Sequence, residues 1–283
     1  MSSPRPLPGC LSALLGLMGW LPAGAQPHAA RTCAAQGQTY AVVVGIADYR
    51  ALTYRTGDLR YADEDARRVA AFLTSRAGGG VKPGQIRLLT DAQATGEGIR
   101  QALRLFTRAQ PTDRILLYFS GHGGANGFLP YDVRPGEPRS LLTYADIKAA
   151  FRASRAGVKL CIADACGSGN LTRPTQSARR LVPPKKSPTT GATDLLPPGS
   201  NVALLLASRS TQVALEDRRL ASGAFTYFLL KGLRGLADQN GDRIVTIKEL
   251  HAYVVPSVRK LSVERQAPVF FGRFPDNLPL AYF

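Results

Sequence analysis

The chain has 283 residues, of which 45% are hydrophobic and 20% charged, and 36 Lys and Arg against 20 Asp and Glu give a formal net charge of +16. This composition excludes a wholly disordered chain, because the apolar fraction is large enough to build a core. Four cysteines are too few for a disulfide-built scaffold. The basic excess could indicate a nucleic-acid partner, but no stripe of basic and aromatic residues accompanies it, so we predict none.

Residues 1–25 have the pattern of a secretory signal peptide. Arg5 gives a positive start, 11–21 form an apolar stretch, and Ala23-Gly24-Ala25 offers the small residues that a signal peptidase needs. The apolar stretch is shorter than the roughly 20 residues of a spanning helix, although an uncleaved anchor is the alternative. The pattern predicts an exported protein, periplasmic or secreted, with no integral membrane span after cleavage.

Strand and helix signals alternate through the rest of the chain. Continuous apolar, β-branched runs indicate buried strands, and apolar residues three and four apart indicate helices. The predicted strands are 40–46, 86–89, 114–120, 158–163 and 202–207. The predicted helices include residues 59–73, 99–106, 145–155, 225–236 and 247–261. This order predicts an α/β fold, a three-layer αβα sandwich around a mostly parallel, roughly six-stranded sheet.

The segment 171–200 interrupts this alternation. It contains six prolines, several Ser and Thr, and five basic residues. Such a composition predicts a flexible linker that proteases can reach, inserted in a domain that spans 36–283.

Two predicted strand ends carry a thiol and an imidazole. The third strand ends in Ser120-Gly121-His122-Gly123-Gly124, and the fourth ends in Asp164-Ala165-Cys166-Gly167. The carboxyl ends of parallel strands meet at one edge of a sheet, so we expect both groups to lie together there. A thiol beside an imidazole makes a nucleophile with its acid–base partner, whereas either residue alone is more often inert.

These residues resemble the caspase/metacaspase family of cysteine peptidases. A caspase signature is Q-A-C-[RQG]-G with a His about 50 residues upstream, and Asp164-Ala165-Cys166-Gly167 with His122 is similar to it. The resemblance runs from about Tyr40 to the end of the chain. Supporting stretches are Asp65-Ala66 in the first helix and 223–235 (GAFTYFLLKGLRG), which is typical of bacterial members.

The resemblance implies a caspase-like fold and a Cys-His dyad. Cys166 would attack the scissile carbonyl, and His122 would protonate the leaving amine. The amides of Gly123 and Cys166 would hold the oxyanion. No third, orienting residue is evident from the sequence.

In this family, the residue two positions before the nucleophile correlates with the residue after which the substrate is cleaved. In caspases it is Gln and the cleaved bond follows Asp, whereas in metacaspases it is Asp and the bond follows Arg or Lys. This chain has Asp164 there, and the remaining metacaspase pocket residues match Asp65 and Ser120. The resemblance therefore implies protein or peptide substrates cleaved after Arg or Lys. For Asp65 the alternative is a solvated charge on a helix.

The basic linker follows the nucleophile where caspase-like enzymes are processed. Self-cleavage is therefore a hypothesis, with an uncut surface loop as the alternative. Arg173 precedes Pro174 and should resist cleavage. The candidate cleavage points are Arg179, Arg180, Lys185 and Lys186.

Calcium is not favoured as a cofactor, and no metal site is predicted. Where metacaspases carry adjacent carboxylates for calcium, this chain reads Thr143-Tyr144-Ala145-Asp146. Separately, acidic and amide residues match positions 1, 3, 5 and 12 of an EF-hand loop, but position 6 is Arg243 where that loop needs Gly. These four are Asp238, Asn240, Asp242 and Glu249. The favoured interpretation is a turn followed by a capping box from Thr246 to Glu249.

A second class of function remains open, because fold alone never proves activity. The alternative to a peptidase is a catalytically silent caspase-like scaffold or interaction module. The joint presence of Asp65, His122, Asp164 and Cys166 argues for the enzyme. Glu216 and Ser208 follow the fifth strand and are further candidates for the substrate groove, and Cys161 is predicted to be a core side chain.

Overall fold

The computed structural model describes residues 37–53, 57–124, 126–134, 137–166, 201–208 and 214–283. The described residues all belong to one unit, Gln36–Phe283. The predicted signal peptide and the linker with its candidate cleavage points lie outside the described residues. Among the helices that are described, none has both the length and the apolar character needed to cross a membrane.

The described part of the chain contains twelve strands and five α-helices, together with short 3-10 and π-helical turns. The strands are β1 (Thr39–Gly45), β2 (Ile86–Thr90), β3 (Arg114–Gly121), β4 (Gly127–Phe128), β5 (Leu142–Thr143), β6 (Val158–Ala165), β7 (Asn201–Leu206), β8 (Glu216–Asp217), β9 (Ser222–Gly223), β10 (Ile244–Thr246), β11 (Val269–Arg273) and β12 (Pro279–Tyr282). The helices are α1 (Ala62–Thr74), α2 (Gly96–Leu103), α3 (Tyr144–Ala153), α4 (Ala224–Lys231) and α5 (Ile247–Leu261).

Six of these strands form the central sheet in the order β11-β7-β6-β3-β1-β2. All neighbours are parallel except β11, which pairs antiparallel with β7. The mostly parallel sheet is confirmed, and β11 is the sixth strand that the apolar runs did not locate. The chain places β2 on one side of β1 and β3 on the other. A ligand site is therefore expected near the carboxyl ends of β1 and β3, where the strand order reverses.

Both faces of the sheet are buried under helices, which confirms the three-layer architecture. Along β1, Val42 and Val44 face a core that includes Phe151 of α3. The alternate residue Val43 faces a second core that includes Phe225 of α4. This alternation follows from the two-residue period of a strand, and it explains the continuous apolar runs.

The predicted helix 225–236 is shorter than expected. Regular α4 ends at Lys231, and a π-helical turn, Gly232–Leu236, follows it. Gly235 lies inside this turn and interrupts the helical backbone there, since its φ of 113° lies in a region that residues with a Cβ rarely adopt.

Candidate active site

The two sequence motifs meet at one edge of the sheet. Ser120 on β3 lies opposite Asp164 on β6, and Gly121 lies opposite Ala165. His122 directly follows β3, and Cys166 directly follows β6. The two residues therefore follow neighbouring strands that are about 4.8 Å apart. They line an open cleft of about 320 Å³ together with Leu59, Ser120, Gly121, Asp164, Ala214, Leu215, Glu216 and Gly223.

The His122 imidazole is held by the backbone. Its Nε2 forms a hydrogen bond with the Gly57 carbonyl oxygen. A carbonyl can only accept, so Nε2 carries the hydrogen in this pair and Nδ1 is the nitrogen left for exchange with a nucleophile. Sequence reasoning missed this partner, because any residue type can supply a backbone carbonyl.

The Cys166 side chain is partly buried at the edge of the cleft. Burial raises the pKa of its thiol, and the nearby charge of Asp164 raises it further, whereas a hydrogen bond from the Ala214 backbone N–H lowers it. The thiol form therefore predominates near neutral pH, and the thiolate needs a base to remove its proton. His122 lines the same cleft and carries an imidazole that could accept this proton.

Gly123 brings its backbone against Cys166. A Cβ at this position would lie 2.5 Å from the Cys166 carbonyl oxygen, so only glycine fits. No hydrogen bond within the described ranges uses the Gly123 N–H. That N–H therefore has no acceptor among the described residues, and Gly123 itself is not part of the cleft lining.

Asp164 is a buried carboxylate with one anchored oxygen. Its side chain is 5% exposed, and its Oδ2 accepts from the Thr226 N–H at 3.1 Å and from Thr226 Oγ1 at 2.7 Å. The Tyr118 hydroxyl in turn lies 2.7 Å from Thr226 Oγ1. Burial raises the pKa of Asp164 to about 6. Both hydrogen bonds end on Oδ2, which leaves Oδ1 without a partner among the described residues.

Asp65 is not a solvated charge on α1. It is fully buried and accepts from Ser222 Oγ at 2.6 Å and from the Gly223 N–H at 2.7 Å, and Arg68 pairs with it at 3.0 Å. Burial raises its pKa to about 7. A Cβ on Gly223 would lie 2.3 Å from Asp164 Oδ2 and 3.3 Å from Asp65 Oδ2. Both carboxylates therefore approach Gly223 closely, and Asp164 lines the cleft whereas Asp65 does not.

A third carboxylate, Glu216, lines the cleft. It pairs with Gly223 in the β8–β9 hairpin. Its oxygens accept from the backbone N–H groups of Arg60 and Tyr61 at 3.0 and 2.9 Å, just before α1 begins. This contact places Glu216 at the positive end of the helix dipole. Ser208 is the other residue after the fifth predicted strand that was a candidate for the substrate groove. It is buried, its hydroxyl donates to the Ala165 carbonyl oxygen at 3.2 Å, and it does not line the cleft.

The EF-hand-like segment ends in a helix cap. Glu249 Oε2 accepts from the N–H and the hydroxyl of Thr246 at 3.0 and 2.7 Å, and Oε1 accepts from the Gln239 N–H at 3.2 Å. Thr246 Oγ1 accepts from the Glu249 N–H at 3.3 Å, which completes the box. The predicted capping box is confirmed.

Comparisons with known proteins agree with the fold. A family model described as a caspase domain matches residues 38–278. A solved structure from Geobacter sulfurreducens is similar, with a TM-score of 0.56 and 18% identity over 84% of this chain and 95% of that one. Caspase-1 from Spodoptera frugiperda is also similar, with a TM-score of 0.52 and 13% identity over 83% of this chain and 86% of that one. At such identities the two structures support the fold alone, and no curated protein matches the sequence. On the match of the family model over most of its length, the chain belongs to the caspase domain family of cysteine peptidases.

Proposed function

We propose that this protein is a cysteine endopeptidase that cleaves peptide bonds after Arg or Lys. One observation supports this most strongly: a thiol and an imidazole share one cleft with two carboxylates, Asp164 and Glu216, that have no ion-pair partner among the described residues. The thiol and the imidazole provide the chemistry of acyl transfer. The carboxylates provide a site for a cationic side chain.

In the proposed reaction the sulfur of Cys166 attacks the scissile carbonyl carbon as His122 Nδ1 takes the thiol proton. The oxyanion accepts hydrogen bonds from the backbone N–H groups of Gly123 and Cys166. The C–N bond then breaks, and His122 gives its proton to the leaving amine. A water molecule then gives a proton to His122 and attacks the thioester carbonyl carbon. The C–S bond breaks, the acid product leaves, and His122 returns the proton to the sulfur to restore the thiol.

The carboxylates near the cleft have different proposed roles in substrate binding. Asp164 offers its carboxylate to the substrate cation, with Ser120 opposite it on β3 and Glu216 in the same cleft. Asp65 is already paired with Arg68, so its part is to hold the Ser222-Gly223 wall and to add to the local negative potential. The substrate class is proteins or peptides with an exposed Arg or Lys.

Covalent labelling tests this function. A peptidyl chloromethyl ketone ending in Arg should alkylate Cys166, located by mass spectrometry, and should not label Cys166→Ala. The reaction is run in EDTA, because the proposed chemistry uses no metal cofactor. A matched reagent ending in Asp should label at least about tenfold more slowly, a difference of about 1.4 kcal/mol. Equal rates for both reagents, or label on another residue, would count against the pocket.

Protonation of the pocket is expected to weaken the binding of a basic ligand. Burial raises the pKa of Asp164 to about 6 and that of Asp65 to about 7. A carboxyl group attracts a cation only after losing its proton, so affinity for agmatine should fall about tenfold per pH unit below about pH 6. Calorimetry on the Cys166→Ala variant measures this without turnover. Adding Asp164→Asn should flatten the profile, and a flat profile with Asp164 intact would exclude the pocket.

Self-processing in the linker is the second part of the proposal. We expect purified wild-type protein to yield two fragments, because the linker sequence contains basic residues of the class that the pocket is proposed to bind. Cys166→Ala should remain whole. Replacing the candidate residues Arg179, Arg180, Lys185 and Lys186 together by Gln should block cleavage, whereas Arg173→Gln, the matched control before Pro174, should not. Intact wild-type protein, or equal cleavage of Cys166→Ala, would refute the idea.

A further inference from the structure

A side chain from outside both sequence motifs contacts both the backbone and the ring of His122. Tyr49 lies in the loop after β1 and is 1% exposed. Its hydroxyl oxygen accepts from the His122 backbone N–H at 2.7 Å, and its ring lies 5.0 Å from the imidazole at an interplanar angle of 38°. Tyr49 therefore contacts both the backbone and the ring of the same histidine.

The loop that carries Tyr49 is itself fixed on two sides. Asp91, which follows β2, accepts from the backbone N–H groups of Ala47 and Asp48 at 2.8 and 3.1 Å. Asp58 Oδ1 accepts from the Tyr49 N–H at 3.2 Å, one residue after the Gly57 carbonyl that bonds His122 Nε2. The phenol and the Gly57 carbonyl, both from the connection between β1 and α1, thus contact the backbone and the ring of His122.

The glycine before His122 is part of the same arrangement. A Cβ at Gly121 would lie 2.6 Å from the Tyr49 hydroxyl oxygen. The absence of a side chain there lets the phenol reach the His122 N–H. This gives a physical reason for a glycine between Ser120 and His122, separate from the approach of a substrate.

We propose that Tyr49 is a positioning residue that orients His122 toward Cys166. This inference rests on the proposed dyad. The hydroxyl sets the backbone of His122, the tilted ring limits rotation of the imidazole, and Nδ1 is thereby held for proton exchange with the thiol. Tyr49 is absent from the cleft lining, so it should affect the chemical step and not the binding of substrate.

The test compares two variants that each lose one tyrosine hydroxyl. Tyr49→Phe keeps the ring and loses the hydroxyl, and we expect kcat on an Arg-ended peptide to fall about 10- to 100-fold while KM stays within about twofold, since small displacements of a reacting group can cost about a hundredfold. Tyr144→Phe is the matched control, because Tyr144 is also buried and its hydroxyl donates to the Gly124 carbonyl at 2.8 Å. Its kcat should change by less than about threefold.

Alkylation by iodoacetamide provides a readout that does not depend on the proposed substrate. Near neutral pH, Tyr49→Phe should slow the modification of Cys166 toward the rate of His122→Ala, and Tyr144→Phe should not. Slowed alkylation in Tyr49→Phe would support positioning even if no peptide is cleaved, so the two proposals can fail separately. Equal kcat and alkylation rates for the two phenol variants, or a change in KM alone, would overturn the role of Tyr49.

A second pair of variants covers the case in which Tyr49→Phe fails to fold. Asp58→Ala removes the acceptor of the Tyr49 N–H, whereas Asp58→Asn keeps an oxygen in the same place. Asp58→Ala should slow alkylation in the same direction by a smaller factor, and Asp58→Asn should restore it. Equal alkylation rates for these two variants and wild type would contradict the inference.

Discussion

Replacing Cys166 by alanine is expected to lower kcat/KM on an Arg-ended peptide by about 10⁴-fold or more, since removal of a catalytic nucleophile leaves only binding and oxyanion stabilisation. The reason is chemical, because no acyl-enzyme can form without the sulfur. Steady-state hydrolysis of a fluorogenic peptide, with circular dichroism to verify folding, measures the effect.

The second thiol of the described chain provides the matched control. Cys161 lies on β6, five residues before Cys166, and is fully buried in the core. Burial raises the pKa of its thiol to about 12, so it remains protonated and unreactive near neutral pH. Cys161→Ala should lower the free energy of unfolding by about 1 kcal/mol and leave kcat/KM nearly unchanged. Activity that follows Cys161 instead of Cys166 would refute the assignment of the nucleophile.

Asp164→Asn is expected to lower kcat/KM on Arg-ended peptides by about 100- to 1000-fold. Asparagine keeps the shape of the side chain but removes its charge, so the substrate cation would be buried without its partner, at a cost of about 3 to 4 kcal/mol. Alkylation of Cys166 by iodoacetamide should stay within a few-fold of wild type, because it needs no cation in the pocket.

A neighbouring carboxylate outside the cleft lining tests whether the loss of activity in Asp164→Asn comes from the pocket itself or from any loss of negative charge nearby. Asp217 stands next to Glu216 on β8, but it pairs with Arg219 at 2.6 Å and is absent from the cleft lining. Asp217→Asn should therefore change kcat/KM by less than about threefold, as is usual for exposed ion pairs. If Asp217→Asn and Asp164→Asn lowered activity equally, general electrostatics would explain the result, and the pocket assignment would be wrong.

The sequence was sufficient to predict the buried parallel strands and their shared edge. Strands β1, β3 and β6 are covered on both faces, so each forms a continuous apolar run that periodicity can recognise. The fifth predicted strand, β7, also has this character. The edge strand β11 escaped notice, since its apolar run covers only 269–271 before Gly272 and Arg273, and its antiparallel pairing follows from no pattern within its own residues.

The missed parts of the site depend on long-range contacts. The carbonyl of Gly57 meets His122 across 65 residues of sequence, and the phenol of Tyr49 does so across 73. A backbone carbonyl has no residue type to recognise, and a tyrosine in a loop resembles any other. Glu216 was noted as a candidate, but only the hairpin that pairs it with Gly223 places it in the cleft.

Asp65 illustrates the limit of assigning a role by resemblance. The pattern marked it as a substrate-binding carboxylate, with a solvated helix charge as the alternative. Full burial close to Gly223 excludes the solvated charge. Its pairing with Arg68 also reduces the charge that it can offer to a ligand, a feature that the i,i+3 spacing alone could not decide.

The most direct test of the account is a comparison of fluorogenic peptides that differ only in the residue before the scissile bond. With Arg, Lys or Asp at that position, wild-type protein should release the fluorophore from the Arg and Lys peptides and not from the Asp peptide, and Cys166→Ala should be silent on all three. Preference for Asp would contradict the acidic pocket. Silence of wild-type protein on all three peptides would contradict the peptidase assignment and favour a caspase-like scaffold.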